Sequence, residues 1–293
     1  MASNAQLVIS QEISDIEEQG RLTRTPVDGH GTMAWREWGD PAAEPLLLLH
    51  GSHGGWMHFL RNIPELSRSR RLIIPDIPGF GDSDPPTDLY SREDHATAMI
   101  AGLGALVPSG AVDCVAFSLG ASLACFMHFA APDRLRRIIM VDAGGLDTPL
   151  RTADLRSVRG LSGDAIREVN RHNLAAMMIH DPARIDDAAI DISIYCGKRC
   201  RTQVQTQVIP DKLLQAVKAV RAPIDVIWAE HDYIHPDPEL NTQAIRQYHP
   251  QARLRVIPDA GHWPMYEQPE AFNAAVLDLL SQPARPFPPE HRP

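Results

Sequence analysis

Leu46-Leu47-Leu48-Leu49 is the segment that most constrains how this chain can fold. Four consecutive leucines leave no polar face, so a strand there must be covered on both sides. The run stops at His50-Gly51, and the same plan recurs along the chain. The stretch 71–74 ends in Pro75-Asp76-Ile77-Pro78-Gly79, Val112–Phe117 runs into Ser118, and 137–141 into Asp142. Ile224–Ala229 leads to Glu230-His231-Asp232, and 253–257 to Asp259-Ala260-Gly261-His262-Trp263. Helix-length segments separate these runs. One covers 92–107, with Ser91 as N-cap and Glu93-Asp94 in its first turn. Others cover 121–131, stopped by Pro132, 238–248 and 269–280. Two-faced strands alternating with helices predict an α/β fold: a mainly parallel central sheet flanked by helices. Two strand-like pieces precede it, Arg21–Val27 and 32–38, broken by Asp28-Gly29.

The alternation lapses once. Between 147 and 219 there is no buried strand run, only helical patches at 164–178 and 183–194. The expected organisation is an N-terminal arm (1–20), a core of 21–146 and 220–282, a helical cap at 147–219 inserted between two core strands, and a frayed proline-rich tail at 283–293. With 293 residues the chain can bury a large core without staples. Lys+Arg 28 against Asp+Glu 37 gives a net charge of −9 with no basic block, which argues against a nucleic-acid or anionic-membrane partner. The first twenty residues show no basic start followed by an apolar run, and no apolar stretch approaches membrane-span length. Cys114 and Cys125 sit in apolar surroundings. Cys196 and Cys200 lack a neighbouring His to complete a zinc site, so a reduced, cytoplasmic setting is expected.

Chemistry concentrates where the strands end. Ser118 stands at a strand-to-helix turn in Ala116-Phe117-Ser118-Leu119-Gly120-Ala121, with small residues where the turn is crowded. Ala116 takes the place of the glycine in the usual G-x-S-x-G. The glycine-rich turn His50-Gly51-Ser52-His53-Gly54-Gly55-Trp56 can aim backbone N–H groups at an oxyanion, and the donors expected are those of Ser52 and Leu119. A serine hydroxyl needs a neutral imidazole to take its proton, and the imidazole needs a carboxylate to fix its tautomer. His262 and Asp232 supply both, in the order Ser, Asp, His, each after a strand.

Taken together, His50-Gly51, the turn 76–83, Ser118-Leu119-Gly120, Asp232 and Gly261-His262 resemble the α/β-hydrolase superfamily over roughly residues 21 to 280. The resemblance implies Ser118 as nucleophile, His262 as general base and then acid, and Asp232 as orienting acid. Asp142 occupies an occasional alternative acid position and ranks second. Several blander roles compete: Ser118 as a helix cap, His231 and His235 as exposed loop residues, and the turn 76–83 as purely structural. A non-catalytic ligand receptor of the same fold is a further alternative.

A serine nucleophile points to an acyl carbon: a small carboxylic ester or related acyl compound, cleaved through an acyl-enzyme. The alternative is a C–C hydrolase acting on a vinylogous diketone from aromatic ring cleavage. Gly55-Trp56, Arg61-Asn62, 143–146 and Gly261-His262-Trp263 resemble that group. Ser52-His53 in place of glycines, His58 in place of Asn and Leu119 in place of Met depart from it, so the ester reading is placed first. Pocket candidates are His53, Trp56, His58, Trp263, Met177 and Tyr195, with Leu174, Met178 and Ile194 as further apolar candidates. Arg199 and Arg201 could meet a substrate carboxylate or form an exposed basic turn. No cofactor or metal is called for. The partner expected is a small-molecule substrate, with room for a homo-oligomer.

Overall fold

A computed structural model of the chain describes residues 10–27, 31–85, 91–202 and 212–284. Eight strands form one sheet: β1 (Arg21–Val27), β2 (Gly31–Trp38), β3 (Pro45–Leu49), β4 (Arg71–Pro75), β5 (Val112–Phe117), β6 (Leu135–Val141), β7 (Ile224–Ala229) and β8 (Leu254–Ile257). Their order is β1-β2-β4-β3-β5-β6-β7-β8. β1 pairs antiparallel with β2 and β2 with β4, and all later pairs are parallel. The strands expected from two-faced burial are therefore neighbours in one sheet.

Alternate residues serve opposite cores. Leu47, Leu49, Cys114, Ala116, Ile138, Met140, Val226 and Trp228 pack on one face. Leu46, Leu48, Val115, Phe117, Ile139, Val141, Ile227 and Ala229 pack on the other. Covering both faces is what permits the continuous apolar runs.

The topology chooses where a site can form. From β3 the chain passes to β4 on one side and returns to β5 on the other. The loops after β3 and β5 therefore leave in opposite directions and open a crevice at their carboxyl ends. The register pairs Leu49 with Ala116, Phe117 with Val141, Val141 with Ile227, and Ala229 with Ile257. The residues following these four levels share one edge of the sheet.

Between β6 and β7 the described chain holds the helices Asp164–Asn173, Asp187–Lys198 and Lys212–Ala219 and a wide helical turn, Leu174–Met178. The last of these helices sends Leu213, Ala216 and Val217 into the same core as the helix Leu119–Ala130. The others form a layer over the carboxyl edge. Arg201 donates to the carbonyls of Gly81 and Ser83, and Tyr195 donates to Asp82 at 2.7 Å, so the insert is bonded to the turn 76–83.

The described end of the N-terminal arm is not loose. Gln11–Glu18 is a helix, Ile13 is buried, Trp38 Nε1 donates to the Ile16 carbonyl and Arg61 pairs with Glu12. Residues 1–9 and 285–293 lie outside the described residues, as does most of the expected tail. No helix among the described residues is long and apolar enough to cross a membrane.

Candidate active site

Ser118 sits between β5 and the helix Leu119–Ala130 with φ 50° and ψ −114°. A non-glycine residue there is strained, and neighbouring contacts must hold it. Its N–H donates to the Val141 carbonyl at 2.8 Å, extending the ladder with β6. Gly120 has no room for a side chain, since a Cβ would lie 2.7 Å from the Leu49 carbonyl oxygen and 2.9 Å from that of His50. Gly51 is similarly tight, with a Cβ position 2.8 Å from the Phe117 ring and 3.2 Å from Ser118 Cβ. These two glycines let the loops after β3 and β5 touch. Ser118 makes no capping hydrogen bond with its side chain, so its hydroxyl is not consumed by the helix. The N–H of Leu119 opens the helix and has no partner within it.

Asp232 and His262 leave the ends of β7 and β8 and meet. His262 Nδ1 lies 2.8 Å from Asp232 Oδ2, with both residues buried. Asp232 Oδ1 accepts from the backbone N–H groups of Ile234 and His235 at 2.8 and 3.3 Å. Burial alone would raise the Asp232 pKa. The facing His262 charge and the hydrogen bonds from His235 and His262 outweigh it and hold this carboxyl well below the usual carboxylate range. A carboxylate can only accept, so His262 presents Nδ1–H to it and keeps the Nε2 lone pair free. Asp142 also lies beside Asp232, but burial and then the Asp232 charge push its carboxyl well up, and its Oδ1 accepts from the Ala229 N–H at 2.9 Å.

Rings surround this pair. Phe117 lies 5.1 Å from His262 and 5.6 Å from His58, and His58 lies 5.2 Å from Trp263. Trp263 Nε1 donates to the His58 carbonyl at 2.9 Å. Burial, followed by the neighbouring His50, His262 and His53, pushes His58 well below the ordinary histidine range, so it stays neutral. His50 uses both nitrogens, Nδ1 on the Gly51 carbonyl at 2.7 Å and Nε2 accepting from the Ile77 N–H at 3.0 Å. It braces the loop that carries Ser52.

The other expected residues fall elsewhere. His53 is exposed, its Nδ1 2.9 Å from Ser52 Oγ. Trp56 is buried against Trp38 with Arg36 over its ring, and its N–H donates to Asp76. Met177 and Met178 are half-buried in the wide turn, while Leu174 and Ile194 are buried in the core on that side. The polar end of Tyr195 is spent on Asp82. Arg199 stacks 3.8 Å over Tyr195 and pairs with Asp82, so with Arg201 it joins insert to core. The turn 76–83 is organised around Asp76, which is buried, faces Arg36 and accepts from the N–H groups of Trp56 and Asp82.

His235 corrects an expectation. It is buried, not an exposed loop residue, and its Nδ1 lies 2.7 Å from Asp232 Oδ2. His231 is exposed. Glu267 and Phe117 were not singled out in the sequence. Glu267 is buried and accepts from the N–H groups of His180, Asp181 and Gly261 at 2.9, 2.7 and 2.8 Å, fastening the insert to the His262 loop. The available signals were positional: Phe117 precedes Ser118, and Glu267 follows His262 by five residues, at the end of the short helix Pro264–Glu267.

A family model described as "Alpha/beta hydrolase family" matches residues 46–275. The chain is 29% identical over 260 residues to 2-hydroxymuconate semialdehyde hydrolase of Pseudomonas sp. (strain CF600), covering 82% of this chain and 88% of that one. It is 26% identical over 260 residues to 2-hydroxy-6-oxo-6-phenylhexa-2,4-dienoate hydrolase of Burkholderia cepacia, covering 81% and 88%. Among solved structures, an esterase from Rhodococcus sp. ECU1013 superposes with a TM-score of 0.74 at 18% identity, covering 91% of this chain and 100% of that one. A meta-cleavage product hydrolase from Pseudomonas fluorescens IP01 superposes with a TM-score of 0.69 at 23% identity, covering 88% and 97%.

Proposed function

Because the chain belongs to the alpha/beta hydrolase family, we propose that it is a serine-dependent hydrolase in which Ser118 attacks a carbonyl carbon, His262 relays the proton and Asp232 orients His262. The observation that carries this is the 2.8 Å contact between Asp232 and His262 Nδ1, which leaves Nε2 as the basic nitrogen. Ser118 Oγ has no side-chain partner among the described residues. Its bond to His262 forms as substrate docks, since catalytic hydrogen bonds tighten in the Michaelis complex.

The relatives support one substrate class over the other. The two sequence relatives named above are a 2-hydroxymuconate semialdehyde hydrolase and a 2-hydroxy-6-oxo-6-phenylhexa-2,4-dienoate hydrolase, which favours C–C hydrolysis over the ester reading that residues alone put first. Ser118 Oγ adds to the ketone or aldehyde carbonyl, and its proton passes to His262. The new oxyanion faces the N–H groups of Ser52 and Leu119. Once the 2-hydroxydienoate has shifted its enol proton to the carbon beside that carbonyl, giving the vinylogous diketone, collapse breaks the bond to that carbon, whose electron pair spreads into a dienolate and takes the proton back from His262. Water, deprotonated by His262, then releases the acid from the acyl-serine. The rings of His58, Phe117 and Trp263 wall the conjugated portion. Ester cleavage is the second reading, favoured by Ser52, His58 and Leu119 where the C–C hydrolase pattern has other residues.

The test offers a 2-hydroxy-6-oxo-dienoate and a p-nitrophenyl ester side by side. A preference for the dienoate supports the first reading, and a preference for the ester the second. Ser118→Ala should abolish turnover of both while leaving the fold intact, and full activity in that variant would refute the assignment. Asp232→Asn should slow turnover by several orders of magnitude. A near-normal rate there would move the acid to Asp142.

A further inference from the structure

Asp232 Oδ2 serves two imidazoles at once. His262 Nδ1 approaches it at 2.8 Å and His235 Nδ1 at 2.7 Å, with the two rings 5.3 Å apart and tilted by 42°. All three residues are at least nineteen-twentieths buried: Asp232 is 2% exposed, His235 3% and His262 4%. The second imidazole is held in place from three sides. The backbone N–H of His235 donates to Asp232 Oδ1, the ring leans 6.0 Å from Trp228, and Gly144 after β6 leaves Nε2 room. A Cβ at Gly144 would come within 2.7 Å of that nitrogen.

Resting on the reading of His262 as the base, we propose that His235 is a positioning residue that sets the basicity of His262 through the shared carboxylate oxygen. One oxygen has lone pairs for two donors, but its charge is divided between them. Each donor weakens what the carboxylate offers the other. A neutral His235 therefore restrains how strongly Asp232 stabilises the protonated His262, keeping the base ready to return its proton in the step that follows.

Two further titratable groups act on this cluster, Asp142 and His58. Asp142, after β6, is pushed toward its protonated form by burial and by Asp232. His58, on the Trp56–Phe59 turn, is kept neutral by burial and by His50, His262 and His53. Burial also lowers His235 itself, against the pull of Asp232. The cluster thus has one carboxylate anchoring two imidazoles, of which His262 is the one whose Nε2 faces the substrate in the proposed reaction.

The experiment compares His235→Val, which removes the donor, with His235→Asn, whose amide nitrogen can take the place of Nδ1. Two readouts are followed: the acid limb of kcat/KM with p-nitrophenyl butyrate, and the NMR titration of the His262 ring without substrate. His235→Val should move both upward by about 0.5–1 pH unit, and His235→Asn should stay near the wild type. Gly144→Ala, which forces the imidazole away from Asp232, should shift them in the same direction and supplies the test if His235→Val does not fold. Unchanged titration in His235→Val and Gly144→Ala overturns the proposal, as does a shift in His235→Asn as large as in His235→Val. The NMR titration needs no turnover. It therefore decides the coupling even if Ser118→Ala stays active and the proposed reaction fails.

Discussion

Replacing Glu267 with Ala should loosen the His262 loop and the insert together. The carboxylate accepts three backbone N–H groups, from His180 and Asp181 on the insert and from Gly261 beside His262. An unpaired buried N–H costs about 1–3 kcal/mol. Gly261 is buried and bears that cost in full, whereas His180 and Asp181 are exposed residues whose amides can regain water. The expected loss is therefore about 2–4 kcal/mol, a fall in Tm of roughly 4–16 °C at about 2–4 °C per kcal/mol. Because Gly261 adjoins His262, kcat should fall by about 10- to 100-fold, the penalty of displacing a reacting group by about an ångström. Glu267→Gln distinguishes a bond from a volume. With its carbonyl in the Oε2 position it keeps His180 and Gly261 and loses only Asp181, so about 1–2 kcal/mol and most of the activity should separate it from Ala. Thermal melts and steady-state rates on all three proteins decide the matter. If Ala and Gln behave alike, or if Ala melts within 1 °C or so of wild type with normal kcat, the three bonds do not hold the loop.

Gly120→Ala should cost about 1–3 kcal/mol and depress kcat, because the added methyl meets the backbone oxygens of Leu49 and His50 and pushes the turn bearing Ser118 off its geometry. A variant with unchanged melting and unchanged rate would show that the turn has slack. Stability should also fall as pH drops from about 6.5 to about 4, in part through His249, which burial lowers to about 4 despite its bond to the Val217 carbonyl. Between those values the unfolded imidazole holds a proton that the folded one does not, so acid favours unfolding by up to about 3 kcal/mol from this group. Urea titrations at several pH values should show His249→Gln losing that part of the slope, and parallel slopes in the two proteins would remove His249 from the account.

How much could be read in advance follows from where each signal resides. The strands were legible because two-faced burial writes itself into consecutive residues: Val112–Phe117 and Ile224–Ala229 form with the expected bounds. The capping box at Ser91 and Asp94 is likewise local. Boundaries moved where distant partners intervened. Arg253 is left out of β8, its N–H and guanidinium both donating to the Asp225 carboxylate. The helix expected over 164–178 gives way at Leu174 to a wider turn whose Met178 carbonyl accepts from the Trp263 N–H. The docking of the arm is not legible in its own residues because its anchors, Trp38 and Arg61, lie further along the chain. His235 was misjudged for the same reason: its burial depends on Gly144, contributed by a different strand end. Residues whose role depends on their own neighbours are visible in sequence, and residues whose role depends on what the sheet brings alongside are not.

The placement of backbone strain ties the site to the fold more firmly than any motif. Among the described residues the non-glycine positions with positive φ are His53, Ser118, Asp142, Asp147 and Asp259. His53 follows β3, Ser118 follows β5, Asp142 and Asp147 follow β6, and Asp259 follows β8. All therefore lie beyond the carboxyl ends of parallel strands. Each such residue costs about 1–3 kcal/mol, so together they approach the whole net stability of an ordinary domain. Scattered strain of that size would be removed by substitution to glycine without consequence. Confined to one edge, it describes loops bent to aim groups into a shared crevice, with the two-sided leucine, isoleucine and valine core underneath able to hold them. The strain also explains why Ser118, and not Ser52 or Ser122, is the serine to test. It alone among the three is held at a positive φ, at the point where the strand order reverses and two loops approach within van der Waals contact.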